Sequence, residues 1–360
     1  MRSSLGVIRV RRFGGWAVCA LTVLLAGCGS AAPPAPVTRV LFAPANRIQA
    51  STRVGTAPIA VAVGAGAVWV VNSADSTVTR VDPATHAAGR PIPVGRGALA
   101  IAAGPEGVWV ASAAGAVVRI DPATQRVTGT PIAVVDPAGI ATGDGGVWVS
   151  SRQTDSVIHI DPASARPVGG PIRVGSQPTD IATAPRGVWV ANSADGTVTR
   201  IDPATGKADP ALRVAKVPAP TPGAGGRPHE QPGAAVLALT AGDGGVWVAK
   251  TDSLETARIE VLRVDPATHR LSGRPIEVTG GIPLRLAAGS GAVWVTDAGS
   301  ILPGPGARAP ALLRIDPRAG ARAGPPLPLG SEPTGLAAGP DDVWVSTVGD
   351  NTVREVNAPR

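Results

Sequence analysis

The sequence predicts an all-β protein: a seven-bladed β-propeller of four-stranded antiparallel blades, closed by its N-terminal strand. Three observations predict it. Val-Trp-Val recurs seven times, at Trp69, Trp109, Trp148, Trp189, Trp247, Trp294 and Trp344. Six of the seven are followed by Asp-Pro, at Asp82, Asp121, Asp161, Asp202, Asp265 and Asp316. A period near 40 residues holding several short strands is the mark of a propeller. The third observation is a mismatch at the ends. The seventh repeat stops after its third strand, and a stray strand-like segment precedes the first repeat.

Residues 1–27 read as a lipoprotein signal peptide. Arg2, Arg9, Arg11 and Arg12 form a basic region, and an apolar stretch from Trp16 to Ala26 follows. The stretch is short for a bilayer span, which needs about 20 residues. Leu25-Ala26-Gly27-Cys28 closes it with small residues, as a processing site requires. That tetrapeptide resembles the bacterial lipobox, which implies a lipid on Cys28 and a domain anchored on the outer face of the cytoplasmic membrane. Residues 28–45, rich in Ala and Pro, read as a flexible, partly extended tether.

Residues 46–357 are expected to be the propeller. In the first repeat, Ile59 to Val63 is an apolar run suited to a buried inner strand, a. Ala67 to Val71 is strand b, and Thr77 to Val81 alternates as a half-exposed strand c does. Pro91 to Val94 is a short outer strand d, blunted by proline as edges often are. Asp-Pro-Ala-Thr between c and d is a turn, in which Asp accepts backbone N–H bonds and Pro presets φ. Thr52-Arg53-Val54-Gly55 looks like Ile92-Pro93-Val94-Gly95, so the N-terminal segment should supply the missing strand d of blade seven. That removes two exposed edges.

Three insertions break the repeat: residues 216–233 between blades four and five, and longer b–c loops in blades five (251–258) and six (297–310). In an antiparallel blade the b–c and d–a loops share one face, so all three should elaborate the same face. Loops accept insertions cheaply, so drift is the competing explanation.

Composition excludes several functions. Net charge is +7, and removing the four signal arginines leaves 29 basic against 26 acidic residues, or +3. That is no nucleic-acid footprint. The only aromatics beyond the signal are Phe42 and the repeat tryptophans, which should pack between blades. Cys19 lies in the signal, so Cys28 is left without a disulfide partner. No Gly-x-Ser-x-Gly, His-Glu-x-x-His or phosphate loop occurs. His86, His159 and His269 read as surface positions of the repeat, while His229 lies beside Glu230 in the largest insertion. The channel mouth should be lined by d–a junctions and the starts of strand a, where polar residues differ from blade to blade: Arg96, Asp136, Gln177, Asp180, Arg285 and Glu332. With His229 and Glu230 these are the candidate ligand-binding residues. Catalytic residues, metal ligands and cofactors are not expected.

The units Val-Trp-Val, Thr-Val-x-Arg-Ile-Asp-Pro-Ala-Thr and Pro-Ile-x-Val-Gly resemble a set of seven-bladed propellers over about residues 47–357. The set contains YVTN-type repeats, NHL-like bacterial propellers and relatives of streptogramin B (virginiamycin B) lyase. The resemblance implies the fold. In the lyases it implies histidine and glutamate at the channel mouth with magnesium, the histidines lying where strand a begins. Here those positions read Pro58-Ile59, Ala98-Leu99, Ala138-Gly139, Thr179-Asp180, Leu284-Arg285 and Thr334-Gly335, and none is histidine. The expected function is a non-catalytic binding, sensor or protein-interaction lipoprotein of the cell envelope, a monomer whose partner is a small molecule or an envelope protein. The alternative is a streptogramin B lyase-like enzyme acting on a cyclic lactone.

Overall fold

The computed structural model describes residues 46–216 except 186, and residues 221–222, 228–229, 235–251, 258–279, 283–299 and 308–357. The signal, Cys28, the tether and Glu230 lie outside these residues. So does most of each insertion.

The described residues form seven antiparallel blades in sequence order, each built as a-b-c-d, and a two-stranded ribbon of Thr221–Pro222 and Pro228–His229 between blades four and five. In blade one, a is Pro58–Gly64, b is Ala67–Asn72, c is Thr77–Val81 and d is Ile92–Pro93. Two left-handed residues in succession, such as Asp144 (φ 47°) and Gly145 (φ 75°), turn a into b. This is the hairpin geometry that matches strand twist, and glycine takes its second position at no steric cost.

Strand d varies more than the sequence suggests. It is continuous in blade two (Arg126–Ala133) and blade five (Arg270–Thr279). In blades three, four and six it is two short segments on the same strand c. In each broken blade a proline precedes the Pro-Ile position, at Pro167, Pro210 (where Ala211 replaces the proline of Pro-Ile) and Pro325, and proline lacks the N–H that a ladder uses.

The ring closes as expected. Ile48–Arg53 pairs antiparallel with Thr352–Asn357, strand c of blade seven, and is that blade's strand d. Asn357 stands where the other blades have the turn aspartate, two residues beyond the partner of the tryptophan. Its Oδ1 accepts the Arg47 N–H at 2.8 Å, as Asp121 Oδ1 accepts Ala123 N–H at 2.8 Å inside an unbroken turn. Thr52 Oγ1 donates to the His86 carbonyl, and His86 Nε2 meets Glu355, tying blade one to blade seven across the seam.

The core lies between blades. Strand b is buried on both faces in blades one to six. Its tryptophan points to the next blade and the flanking valines point to the previous one. Trp109 packs with Val147, Val149 and Ile160 of blade three. Trp344 packs with Val68, Val70 and Val81 of blade one, completing the circle. In four blades the residue facing the tryptophan from strand c caps its ring. Arg119, Arg263 and Arg314 lie 5.6, 5.6 and 5.8 Å from the centroids of Trp109, Trp247 and Trp294. His159 takes this place in blade three, stacked on Trp148 at 3.9 Å and 4°. It is half-buried rather than a plain surface residue, and burial lowers its pKa. His86 and His269 occupy the left-handed slot of their c–d turns (φ 59° and 55°) and are also half-buried.

Candidate functional site: the channel mouth

Strand a is innermost, so one edge of it has no strand partner and its free N–H and C=O groups face the channel. Each strand a also carries an irregularity in its register with b, for example between Pro178 and Asp180 and between Pro283 and Leu286. A bulge bends the strand and re-aims a side chain. Here it re-aims those near the mouth. Strand-b hydroxyls satisfy the backbone it displaces: Ser150 Oγ accepts Gly139 N–H, and Thr296 Oγ1 accepts Arg285 N–H, both at 2.9 Å.

The result is a cavity of about 590 Å³ lined by strand a of all seven blades. Many of its side chains are aliphatic, with Ile59, Leu99, Leu237 and Leu336 among them, but most of the surface it exposes is polar, as backbone groups of the strand-a edges and a few polar side chains provide. Charge is confined to Asp180, Arg285 and Arg152.

Asp180 lies on strand a of blade four (Pro178–Ala184). Its Oδ2 accepts the Leu239 N–H of blade five at 2.9 Å, and its Oδ1 accepts the Ile181 N–H at 3.0 Å. The carboxylate therefore serves the free channel edge of the next blade. Burial among the strands pushes its pKa above the ordinary aspartate value, opposed by the Leu239 N–H, the Arg285 guanidinium and the Ile181 N–H. Arg285, on strand a of blade six, is exposed to the cavity. Thr183 and Thr334 serve the same inner edge, donating to the Thr142 and Pro58 carbonyls.

Of the residues proposed from the sequence, Asp180 and Arg285 come together in the cavity. Arg96, Asp136, Gln177 and Glu332 stand on the rim, in d–a turns, and are not among its lining residues. Two of them have backbone roles there. Asp136 and Gln177 hold left-handed φ (40° and 50°) at the position of Ala57 and Gly97, and Asp tolerates that region better than most residues. His229 pairs through its backbone with Thr221.

Arg152 was not legible in the sequence. It follows strand b of blade three, where blades one and four have Ser73 and Ser193, and it reaches the cavity held by Asp136 at 2.8 Å. The departure from serine was its only sequence signal.

A second feature supports the elaborated face. Three residues after each tryptophan sits a buried polar side chain. In regular blades it is neutral: Asn72 donates to Thr77 and Thr79, and Asn192 to Thr197 and Thr199. In the two blades with lengthened b–c loops it is charged and paired. Lys250 meets Glu260 at 2.9 Å, and Asp297 meets Arg308 at 2.8 Å.

A magnesium site of the lyase kind does not fit these residues. Asp180 is the carboxylate lining the cavity, its two oxygens are taken by N–H donors, and a guanidinium stands beside it. Among the described residues, no three His, Cys, Asp or Glu side chains are grouped to hold a metal ion. The described histidines near the repeat tryptophans belong to the opposite face. No helix among the described residues is long and apolar enough to cross a membrane.

Comparison with known proteins agrees with this architecture. A model of the YNCE-like beta-propeller family matches residues 37–161, about a third of the chain. Curated proteins give no match. Virginiamycin B lyase from Staphylococcus aureus is similar in structure, with a TM-score of 0.66 and 15% identity over 87% of this chain and 99% of that one. Hydrazine synthase of Kuenenia stuttgartiensis gives 0.67 and 15% over 86% and 99%. U3-55K gives 0.64 and 11% over 87% and 98%. At these identities the likeness is one of fold, shared by enzymes and by other proteins alike: the chain is a seven-bladed β-propeller, YNCE-like over its first blades.

Proposed function

We propose that this chain is a cell-envelope lipoprotein whose propeller binds a small ligand in the channel mouth without transforming it. The observation that carries the reading is the seven-walled cavity of about 590 Å³ with its charge confined to Asp180, Arg285 and Arg152. Such a volume suits a small organic molecule, and convergent polar groups are what orient one. The cavity's charged side chains are two guanidiniums and one carboxylate, and burial favours the neutral form of that carboxylate. Arg152 is already paired with Asp136, so Arg285 is the guanidinium that the reading assigns to the ligand, and the ligand class is a polar, hydrogen-bonding small molecule bearing an anionic group.

The signal and Leu25-Ala26-Gly27-Cys28 support the envelope location and a lipid on Cys28. The likeness to virginiamycin B lyase supports the second reading, an enzyme acting on a cyclic lactone. One experiment separates them. Protein purified from membranes is analysed by native mass spectrometry beside Arg285→Ala. A binder carries a small molecule that the variant has lost and returns it at unchanged mass after incubation. A lyase returns a product of different connectivity, and EDTA stops the conversion. Ligand retained fully by Arg285→Ala would overturn the channel-mouth assignment.

A further inference from the structure

We propose that the cleft between blades two and three, on the face opposite the channel mouth, is a second binding site. Its ligand is a small neutral azole, a flat ring with one acceptor nitrogen and one N–H. The cleft is a cavity of about 320 Å³. Its wall includes Pro105, Glu106 and Trp109 of blade two and the Asp161-Pro162-Ala163 turn of blade three. That volume lies at the small end of ligand pockets and suits a single ring.

The a–b turns explain why the site has a donor to offer. In blades one, three, five and six this turn begins with a left-handed residue: Ala65, Asp144, Asp243 and Ser290. There the tryptophan Nε1 donates to the carbonyl of the glycine five residues before it, at 3.1 to 3.3 Å. Blades two, four and seven have Pro105, Pro185 and Pro340 in that place. Proline cannot take a positive φ, so the turn differs. Trp109, Trp189 and Trp344 are the tryptophans whose Nε1 is buried without a partner. A buried, unpaired donor is costly. Trp109 is fully buried, and Gly104, whose carbonyl is the equivalent acceptor, belongs with it to the cavity wall.

Blades four and seven show what the fold itself places beside such a tryptophan. The c–d turn of the following blade brings a histidine. His269 of blade five lies edge-on to Trp189 at 5.6 Å and meets Asp209 at 3.3 Å. His86 of blade one lies 6.1 Å from Trp344 and meets Glu355. Each imidazole has a carboxylate partner. Blade three has Ala165 at that turn position, with the same left-handed backbone (φ 53°), packed against the cluster that holds Trp109. No ring of the chain's own is brought to Trp109 from there, and Glu106 supplies a carboxylate at the wall. A tethered histidine leaves the indole N–H unpaired, as at Trp189 and Trp344. A free azole can turn its acceptor nitrogen to Trp109 and its N–H to Glu106. Asp161 is less available, because its oxygens already accept from Ala163 N–H, Ser164 N–H and the Ser164 hydroxyl.

The test uses the full chain in detergent micelles with 15N-labelled tryptophans. The probe is imidazole at about pH 8.5, where the ring is neutral. Trp109→Phe identifies the Trp109 indole signal. Imidazole should shift that signal saturably and leave the other indole signals in place. Glu106→Gln, at an exposed position, should weaken binding by roughly threefold or more, the scale of one hydrogen bond. 1-Methylimidazole lacks the N–H and should bind more weakly by a similar factor. Ala165→His should abolish the shift, since it supplies the ring from within in a backbone slot that His86 and His269 already occupy. No saturable shift, or one unchanged in both Glu106→Gln and Ala165→His, overturns the site. Equal binding of imidazole and 1-methylimidazole overturns the ligand class.

Discussion

Trp148 is fully buried, bridges blades three and four, and stacks on His159. Trp148→Ala should cost about 3–5 kcal/mol, the range for removing a large aromatic from a core. Urea unfolding measures it, and a loss below ~1 kcal/mol would mean that the ring does not bear the interblade contact. The turn aspartates make a different contribution. All six have pKa values below the ordinary 3.8, chiefly through backbone or hydroxyl donors within the turn. A folded pKa depressed below the unfolded one gives stability that is present above 3.8 and lost as pH falls through the folded value. Asp180 has the opposite sign: its raised pKa makes folding less favourable as pH climbs from 3.8 through the raised value. Asp121→Asn should therefore flatten the acid limb of a stability–pH profile, while Asp180→Asn should flatten the limb above it. Thermal melts across pH 2–7 give both. An unchanged acid limb in Asp121→Asn would remove the turn from the account.

The closing strand is the element on which the whole ring depends. Deleting residues through Val54 removes strand d of blade seven and exposes the edge of Thr352–Asn357. Aggregation or loss of a single cooperative transition is expected, whereas deletion of the signal and tether through Ala43 should leave melting unchanged. Identical melts would refute closure by this strand. The charged substitutes under the long b–c loops make a second prediction. Lys250→Met removes the ammonium from half-buried Glu260 and should destabilise by about 3 kcal/mol, while Lys250→Met with Glu260→Met should recover most of it. Failure of the second change to rescue would show that the charges do more than neutralise one another. Strands and turns were readable in the sequence because their signals are local and repeated: Val-Trp-Val, Asp-Pro and the unmatched segment near Thr52. The continuous outer strands of blades two and five were missed because the proline of Pro-Ile stands in both. What matters is where the proline falls: in the three broken blades one stands ahead of the Pro-Ile position, at Pro167, Pro210 and Pro325.

Across the whole molecule, seven hydrophobic clusters each join one blade to the next, so substitutions on the channel side of strand a should leave stability largely intact. Arg285→Ala is expected to weaken ligand retention at least tenfold, the scale of one charge-assisted contact of about 1.4 kcal/mol or more, with its melting temperature unchanged. Replacing residues 216–233 by a short turn should also lower retention while the strands fold. If melting collapses in either variant, these residues are structural. The site was less legible than the fold. Asp180 and Arg285 were visible as departures from the repeat, but Arg152 was not. Its departure from serine was too slight a signal, because what brings it to the cavity is its pairing with Asp136 across the turn, which the sequence does not show. The rim positions have a backbone component that the sequence does not separate from ligand binding. Polar variety at Asp136 and Gln177 reflects in part a left-handed backbone slot.

The seam at Asn357 and Arg47 is a turn whose covalent link has been omitted while its hydrogen bond was kept. The break in the chain is therefore transferable. Joining the ends there through Pro-Ala-Thr, and opening the chain instead between Thr124 and Gln125, would yield a circularly permuted protein with the same blades and the same interfaces. Its ring should assemble with an unchanged spectrum and near-native melting, because nothing in the packing records which blade holds the opening.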